Sequence, residues 1–318
     1  MPDPVNMPES MHTPGAINIL ILGGAGQVGT ELQASGLWDP SVRLYAPSRT
    51  ELDVTDAAAI EAALAQRPYA AVVNTAAYTA VDRAESEIAA AWTLNAVAPA
   101  LLAAATARAG IPLVHVSTDY VFDGTGTGAY PSDAAVTPQS VYGASKAAGE
   151  IAVRAANPRH AIIRTAWVVS PHRGNFVKTM LRLAAERERL SVVDDQHGCP
   201  TSAGDLAAGL AVVAQALATD PAAPTGTHHY VNAGATTWCG FARAIIAGNA
   251  RRGGRSVPVD AIPTSAFPTP ARRPANSVLS TASLTAAYGL TPRPWAEAVD
   301  AILDRLVGPE RTQTETRA

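Results

Sequence analysis

A chain of 318 residues with 47% hydrophobic and 16% charged residues has material for one large packed core or two modest ones. Its formal net charge of -3, with no basic block in the body of the chain, gives no electrostatic footprint for nucleic acid or an anionic membrane surface. The start, Met1-Pro2-Asp3-Pro4, has neither a cationic patch nor an apolar run, and no later segment is expected to approach the roughly 20 residues that span a bilayer. Cys199 and Cys239 lie far apart without metal-site spacing, so two unpaired thiols in a reducing cytoplasm are expected, and the partner expected is a small soluble molecule.

In chain order, residues 1–15 read as a loosely ordered tail. Strands are predicted at 17–22, 42–45, 70–74, 113–116 and 161–164, and helices at 27–35, 57–65, 85–109 and 142–156. Short apolar runs alternating with longer alanine-rich stretches are the signature of βαβ units, so the fold expected is α/β, a Rossmann-type doubly wound parallel sheet. Residues 16–166 are assigned to an NAD(P)-binding domain. From Trp167 the regularity breaks at proline and glycine clusters, and 167–308 is read as a smaller α/β substrate-binding region partly interleaved with the sheet, followed by a polar tail at 309–318.

The first strand leads into Gly23-Gly24-Ala25-Gly26-Gln27-Val28-Gly29. Glycines after the first strand of such a chain let the backbone approach a pyrophosphate, so this loop is predicted to bind a dinucleotide. Cofactor choice turns on the end of the second strand, where an acid would bind the ribose 2′-hydroxyl of NAD. Here the segment is Ala46-Pro47-Ser48-Arg49, so Ser48 and Arg49 are candidates for a 2′-phosphate; NADPH is favoured, with NADH as the alternative. Asp53 is placed in the turn beyond that strand, nearer the adenine.

Tyr142-Gly143-Ala144-Ser145-Lys146 puts a phenol and an ammonium one helical turn apart on one face. Among 24 basic residues only Lys146 and Lys178 are lysine, so the coincidence is informative. Reducing a ketone needs a proton for the developing alkoxide, and a phenol with pKa of about 10 donates poorly at neutral pH. An ammonium about 5 Å away, at an effective dielectric of about 20, would lower that pKa by roughly two units. Upstream, Thr118 ends the fourth strand at the sheet's carboxyl edge, where its hydroxyl could orient a substrate carbonyl. His115, inside an apolar strand, is read as a packed core residue.

These residues resemble the dTDP-4-dehydrorhamnose reductase family of extended short-chain dehydrogenases. The resemblance runs from Ile17 to about Trp295 through Gly23 to Gly29, Leu52-Asp53-Val54, Asn74 to Asp82, Ser117 to Gly124, Tyr142 to Lys146, Arg164 to Trp167, Asn175 to Met180, Asp195 to Thr201 and Arg273-Pro274. It implies a catalytic triad of Thr118, Tyr142 and Lys146, with Gly23, Gly26, Gln27, Val28, Asp53, Val54, Ala76 and Ala77 at the cofactor. It further implies that Thr79, Val81, Asp119, Tyr120 and Trp167 line the sugar, while Asn175, Phe176 and Arg273 lie towards the nucleotide diphosphate. The reaction implied is NADPH-dependent reduction at C4 of dTDP-4-dehydro-β-L-rhamnose, a step towards cell-surface polysaccharide, and a homodimer is compatible with it.

Two departures bear on that transfer. Relatives often carry an aromatic soon after the matching tryptophan, where this chain has Val168-Val169. Some pair through a magnesium held by interface glutamates; Glu31 matches one such position but Gly204 stands at another, so no metal is expected. Two other readings share the site: reduction of another dTDP-linked keto sugar, and a non-catalytic dinucleotide-binding subunit that regulates methionine adenosyltransferase. The intact Thr118, Tyr142 and Lys146 oppose the latter.

Overall fold

The computed structural model describes residues 16–34 and 36–310, so the expected tail at 1–15, the last residue of the predicted helix 27–35 and residues 311–318 lie outside it. Six parallel strands form the main sheet: β1 (Ile17–Leu22), β2 (Val42–Tyr45), β3 (Tyr69–Asn74), β4 (Leu113–Thr118), β5 (His160–Thr165) and β6 (Gly226–His229). Their spatial order is β6-β5-β4-β3-β1-β2, so the chain reverses its direction of travel across the sheet between β1 and β3. The carboxyl ends of those two strands therefore diverge into a crevice, the place where open α/β sheets hold ligands.

The strands are apolar nearly throughout because helices cover both faces. Ile19, Ile21, Val73 and Val114 pack on one side against helix Ala203–Thr219, while Leu20, Leu22, Val72 and Leu113 pack on the other against Leu102 and Val153. A second core is built from Val177, Met180, Phe241, Ile245, Val299 and Ile302. The later half thus contributes to both: Ala203–Thr219 and β6 join the main sheet, while Phe176–Glu186, Trp238–Arg251 and Trp295–Val307 surround the second core.

Several sequence expectations change. The predicted helix 85–109 starts later, running from Ile88 to Arg108 with a π-helical segment, Thr93–Val97, inside it, and a separate short helix, Val81–Ala84, precedes it. The stretch from Ile88 to Arg108 has 21 residues and is, by length and composition, apolar enough to cross a membrane, contrary to the expectation that no segment approaches that length. Its Leu102, Ala103 and Ala105 are instead buried against the sheet. Residues 309–310 are not a free tail, because Glu310 bonds to Arg251 and Arg252. β6 and helix Ala203–Thr219 were missed in the sequence because proline and glycine clusters on either side read as irregular chain.

Helix Val141–Ala156 carries the tyrosine and lysine, and its start is set by Ser140, whose Oγ accepts from Gly143 N at 3.1 Å. Two glycines inside it lower its intrinsic stability but let it approach its neighbours closely. A Cβ on Gly143 would lie 2.1 Å from the Tyr120 carbonyl oxygen, and one on Gly149 would lie 2.1 Å from that of Asn95. The first contact seats the helix on the turn that follows β4, and the second seats it on the π-helical segment.

Candidate active site

A cavity of about 740 Å³ runs from the glycine loop, past the ends of β3 and β4, to Trp167 and Phe176. Gly26, Gln27, Val28, Ala77, Thr79, Val81, Thr118, Asp119, Tyr120, Tyr142, Lys146, Trp167, Asn175 and Phe176 all line it, so fourteen residues scattered from 26 to 176 in the sequence share one wall. Gly23 and Ala76 support the wall from behind. Gly23 adopts φ of 80°, and a Cβ there would stand 2.7 Å from Ala76 N, so the turn after β1 and the chain after β3 press together where only glycine fits.

Ser48, Arg49, Asp53 and Val54 lie away from this lining. Ser48 and Arg49 are exposed, Ser48 N donates to the Glu51 carboxylate at 2.7 Å, and that bond is the first cause holding Glu51 below the usual carboxylate range. Asp53 accepts from Thr55 N and Oγ1 at 2.9 and 2.7 Å. Two carboxylates therefore accompany Arg49 in this turn, which weakens the 2′-phosphate site expected at Ser48 and Arg49. Arg273 binds Asp82 at 2.6 Å and Tyr120 Oη at 3.1 Å, beside the cavity lining.

At the reducing end the groups are buried and mutually constrained. Tyr142 is 8% exposed and packs edge-on against Tyr120, with ring centroids 5.4 Å apart. Thr118 Oγ1 donates to Asp119 Oδ1 at 2.8 Å, and Asp119 Oδ2 is buried with no hydrogen-bond partner among the described residues. Burial pushes the Asp119 carboxyl up to about 6, against the Thr118 bond that favours its charge. The Ser277 hydroxyl also favours the charged form of this carboxyl.

Lys146 is 2% exposed, and its Nζ donates to the Val116 carbonyl at 2.7 Å. Burial pulls its pKa down to about 8, partly opposed by the charge of Glu150 one turn further along the helix. Tyr142 goes the other way: burial pushes the phenol well above its ordinary value, with the Thr118 hydrogen bond opposing. The expected lowering of the phenol by Lys146 does not appear: burial is the largest influence on Tyr142, and the opposing influence is Thr118, not Lys146.

Beneath Lys146, Glu150 forms a buried two-pronged pair with Arg164, at 2.8 and 2.7 Å. Burial opposes the charge on Glu150, yet the Arg164 bonds and charge bring its pKa out below the usual range. His115 is fully buried, as expected, with Nδ1 3.1 Å from Asn74 Nδ2; burial and then the nearby Lys146 charge depress its pKa.

Three positions escaped the sequence reading. Asn95, in the π-helical segment, accepts from Tyr78 N at 2.8 Å and donates to Tyr78 O and Ser145 Oγ at 3.0 and 3.1 Å, bracing the loop after β3 against helix Val141–Ala156. Trp238 stacks on Trp167 with centroids 3.6 Å apart and supplies an aromatic wall near Val168-Val169. Arg173 lines the cavity from a loop. Trp238 begins a helix behind a Thr-Thr cap, a signal that could have been read; the other two carry none.

Glu31, matched to a metal position, pairs with Arg305 at 2.7 Å and lies 3.0 Å from His172 Nε2, and a Cβ on Gly204 would stand 3.6 Å from its Oε2. Among the described residues no group of three His, Cys, Asp or Glu side chains is arranged to hold a metal.

The profile of the RmlD substrate binding domain family matches residues 17–307. The chain belongs to this family. A relative from Burkholderia thailandensis, dTDP-4-dehydrorhamnose reductase, is 43% identical over 291 residues, covering 89% of this chain and 97% of that protein. The solved dTDP-4-dehydrorhamnose reductase of Clostridium acetobutylicum superposes with a TM-score of 0.84 at 38% identity, over 91% of this chain and 99% of that one. That of Bacillus anthracis, solved in complex with NADP, gives 0.83 at 32% identity over the same shares.

Proposed function

We infer that the protein is an NADPH-dependent dTDP-4-dehydrorhamnose reductase, converting dTDP-4-dehydro-β-L-rhamnose to dTDP-L-rhamnose. The observation that carries this reading is that Thr118, Tyr142 and Lys146 face the same cavity that opens at the glycine loop and ends at the Trp167 and Trp238 wall. The named relatives support the sugar and the NADP complex supports the cofactor.

The cavity fits a dinucleotide. Gly26 lines it, and a Cβ there would meet only Gly23 O at 3.2 Å on the protein side, so a side chain at this position would intrude on the ligand space. Gly26, Gln27 and Val28 would hold the diphosphate of a bound NADPH and Ala77 would flank its nucleoside, and that cofactor would supply the hydride for the sugar's C4. Tyr142 gives its proton to the oxygen on that carbon, and its raised pKa keeps the proton on the phenol until the alkoxide, a much stronger base, develops beside it. Thr118 holds the carbonyl in line. Lys146 stands one turn below with its ammonium anchored on Val116 O and stabilises the phenolate left behind.

The pH profile follows from Lys146. Its charge is present below about 8 and lost as pH rises through that value, so kcat/KM falls about tenfold per unit on the alkaline side with a midpoint near 8. A kcat/KM measured from pH 6 to 10 that stays level to pH 10 would remove the ammonium from the mechanism. The substrate itself is tested by following NADPH oxidation with dTDP-4-dehydro-β-L-rhamnose and with other dTDP-linked keto sugars. Turnover should be fastest with the former, and none with it would overturn the reading.

A further inference from the structure

The segment Ser170–Asn175 lies against the glycine loop and is fastened there by side chains. Ser170 Oγ and Asn175 Nδ2 both donate to Gln27 Oε1, at 2.8 and 3.0 Å. His172 Nε2 lies 3.0 Å from Glu31 Oε1 on the helix that follows the loop, where Arg305 binds the same oxygen. Between these fastenings stands Arg173, exposed, with φ of 54°. That left-handed conformation is one that residues bearing a side chain rarely adopt, and it would suit glycine if turning the chain were the position's whole task.

Arg173 Nε donates to the Ala25 carbonyl at 2.8 Å, and its two terminal amino groups make no hydrogen bond among the described residues. Arg173 and Lys146 are the cations on the cavity wall, and Lys146 is committed to Val116 O at the reducing end. The glycine-loop end therefore has one positive charge, on a residue held in a strained backbone, with the paired donors of its planar fork unspent. A dinucleotide and a nucleoside-diphosphate sugar each bring a diphosphate to this cavity.

We propose that Arg173 is a diphosphate-binding residue: Nε holds the glycine loop through Ala25 while the terminal amino groups grip the ligand's diphosphate oxygens. The contact with Ala25 favours the diphosphate of the cofactor. The proposal rests on the dinucleotide reading of the cavity and adds a residue to it.

The test titrates the full-length wild type, Arg173→Gly and Arg173→Lys with NADPH and separately with dTDP, by fluorescence, at low and high salt. Arg173→Gly should raise Kd about tenfold for a diphosphate ligand and flatten its salt dependence, and Arg173→Lys should recover part of the affinity because it keeps the charge without the fork. The Tm of the glycine variant should equal or exceed that of the wild type, since glycine suits the backbone there. Weakening confined to NADPH assigns the grip to the cofactor, and weakening confined to dTDP assigns it to the substrate. Unchanged Kd for both, in a variant that folds normally, overturns the proposal while leaving the reductase reading intact. Wild-type binding of NADPH without turnover of the rhamnose precursor would instead overturn the substrate and leave Arg173 its role.

Discussion

Replacing Tyr142 with phenylalanine will lower kcat by about a thousandfold while leaving NADPH affinity within about twofold of the wild type. The ring stays, so the edge-on packing against Tyr120 survives and the cavity keeps its shape. What goes is the one proton donor that the cavity presents at the C4 oxygen, and positioned proton transfer contributes roughly 10² to 10⁴ in rate. The upper part of that range is expected because the neighbouring Thr118 hydroxyl, an aliphatic alcohol that can turn from Asp119 to hydrogen-bond the carbonyl, gives up its proton far less readily than a phenol does. Water is a poor substitute in so buried a place. Steady-state kinetics with a parallel NADPH titration checks both numbers, and a kcat within tenfold of the wild type would mean that the proton comes from elsewhere.

The second large effect is on stability. Arg164→Met should cost about 3–5 kcal/mol, because it strips the buried carboxylate of Glu150 of its two-pronged partner and leaves inside only Lys146, one turn away and bonded to Val116 O, to offset the charge. For a chain of this size that corresponds to a Tm lower by roughly 10 °C. Arg154, at 3.2 Å and on the solvent side, is too exposed to take over. The control is the double replacement Arg164→Met with Glu150→Leu, which removes both charges and should restore most of the loss. A double variant no more stable than the single one would show that the pair is held for its shape and not for its charge balance. Thermal melts of the three proteins decide between these.

The parts of the site that were readable in the sequence are those where local chemistry and local chain coincide. Gly23 to Gly29 follow a strand directly, and Tyr142 and Lys146 sit one turn apart on a single helix, so spacing alone brought them together. The five predicted strands appear within one or two residues of their expected limits, because each is an apolar run bounded by polar or glycine residues. Long-range placement was not readable in that way. Arg49 and Asp53 depend on how a turn folds back; the structure pairs Asp53 with Thr55 and points the turn's charges at one another. Arg273 reaches the vicinity of the site across 191 residues to meet Asp82, a partner that no periodicity predicts. The phenol's pKa was misjudged for a related reason: distance to a charge can be guessed from a helix, whereas depth of burial requires the whole fold.

Gly143 and Gly149 have a bearing on any attempt to engineer this protein for heat. Glycine to alanine within a helix is among the safest stabilising changes, since it stiffens the unfolded chain at little cost to the folded one. Here a methyl group at either position would meet a backbone carbonyl 2.1 Å away, and neither carbonyl is the flexible end of a side chain. The helix would have to back off from the turn after β4, carrying Tyr142 and Lys146 away from Thr118. A consensus or propensity-driven redesign that treats these two glycines as defects would trade catalytic alignment for helix content.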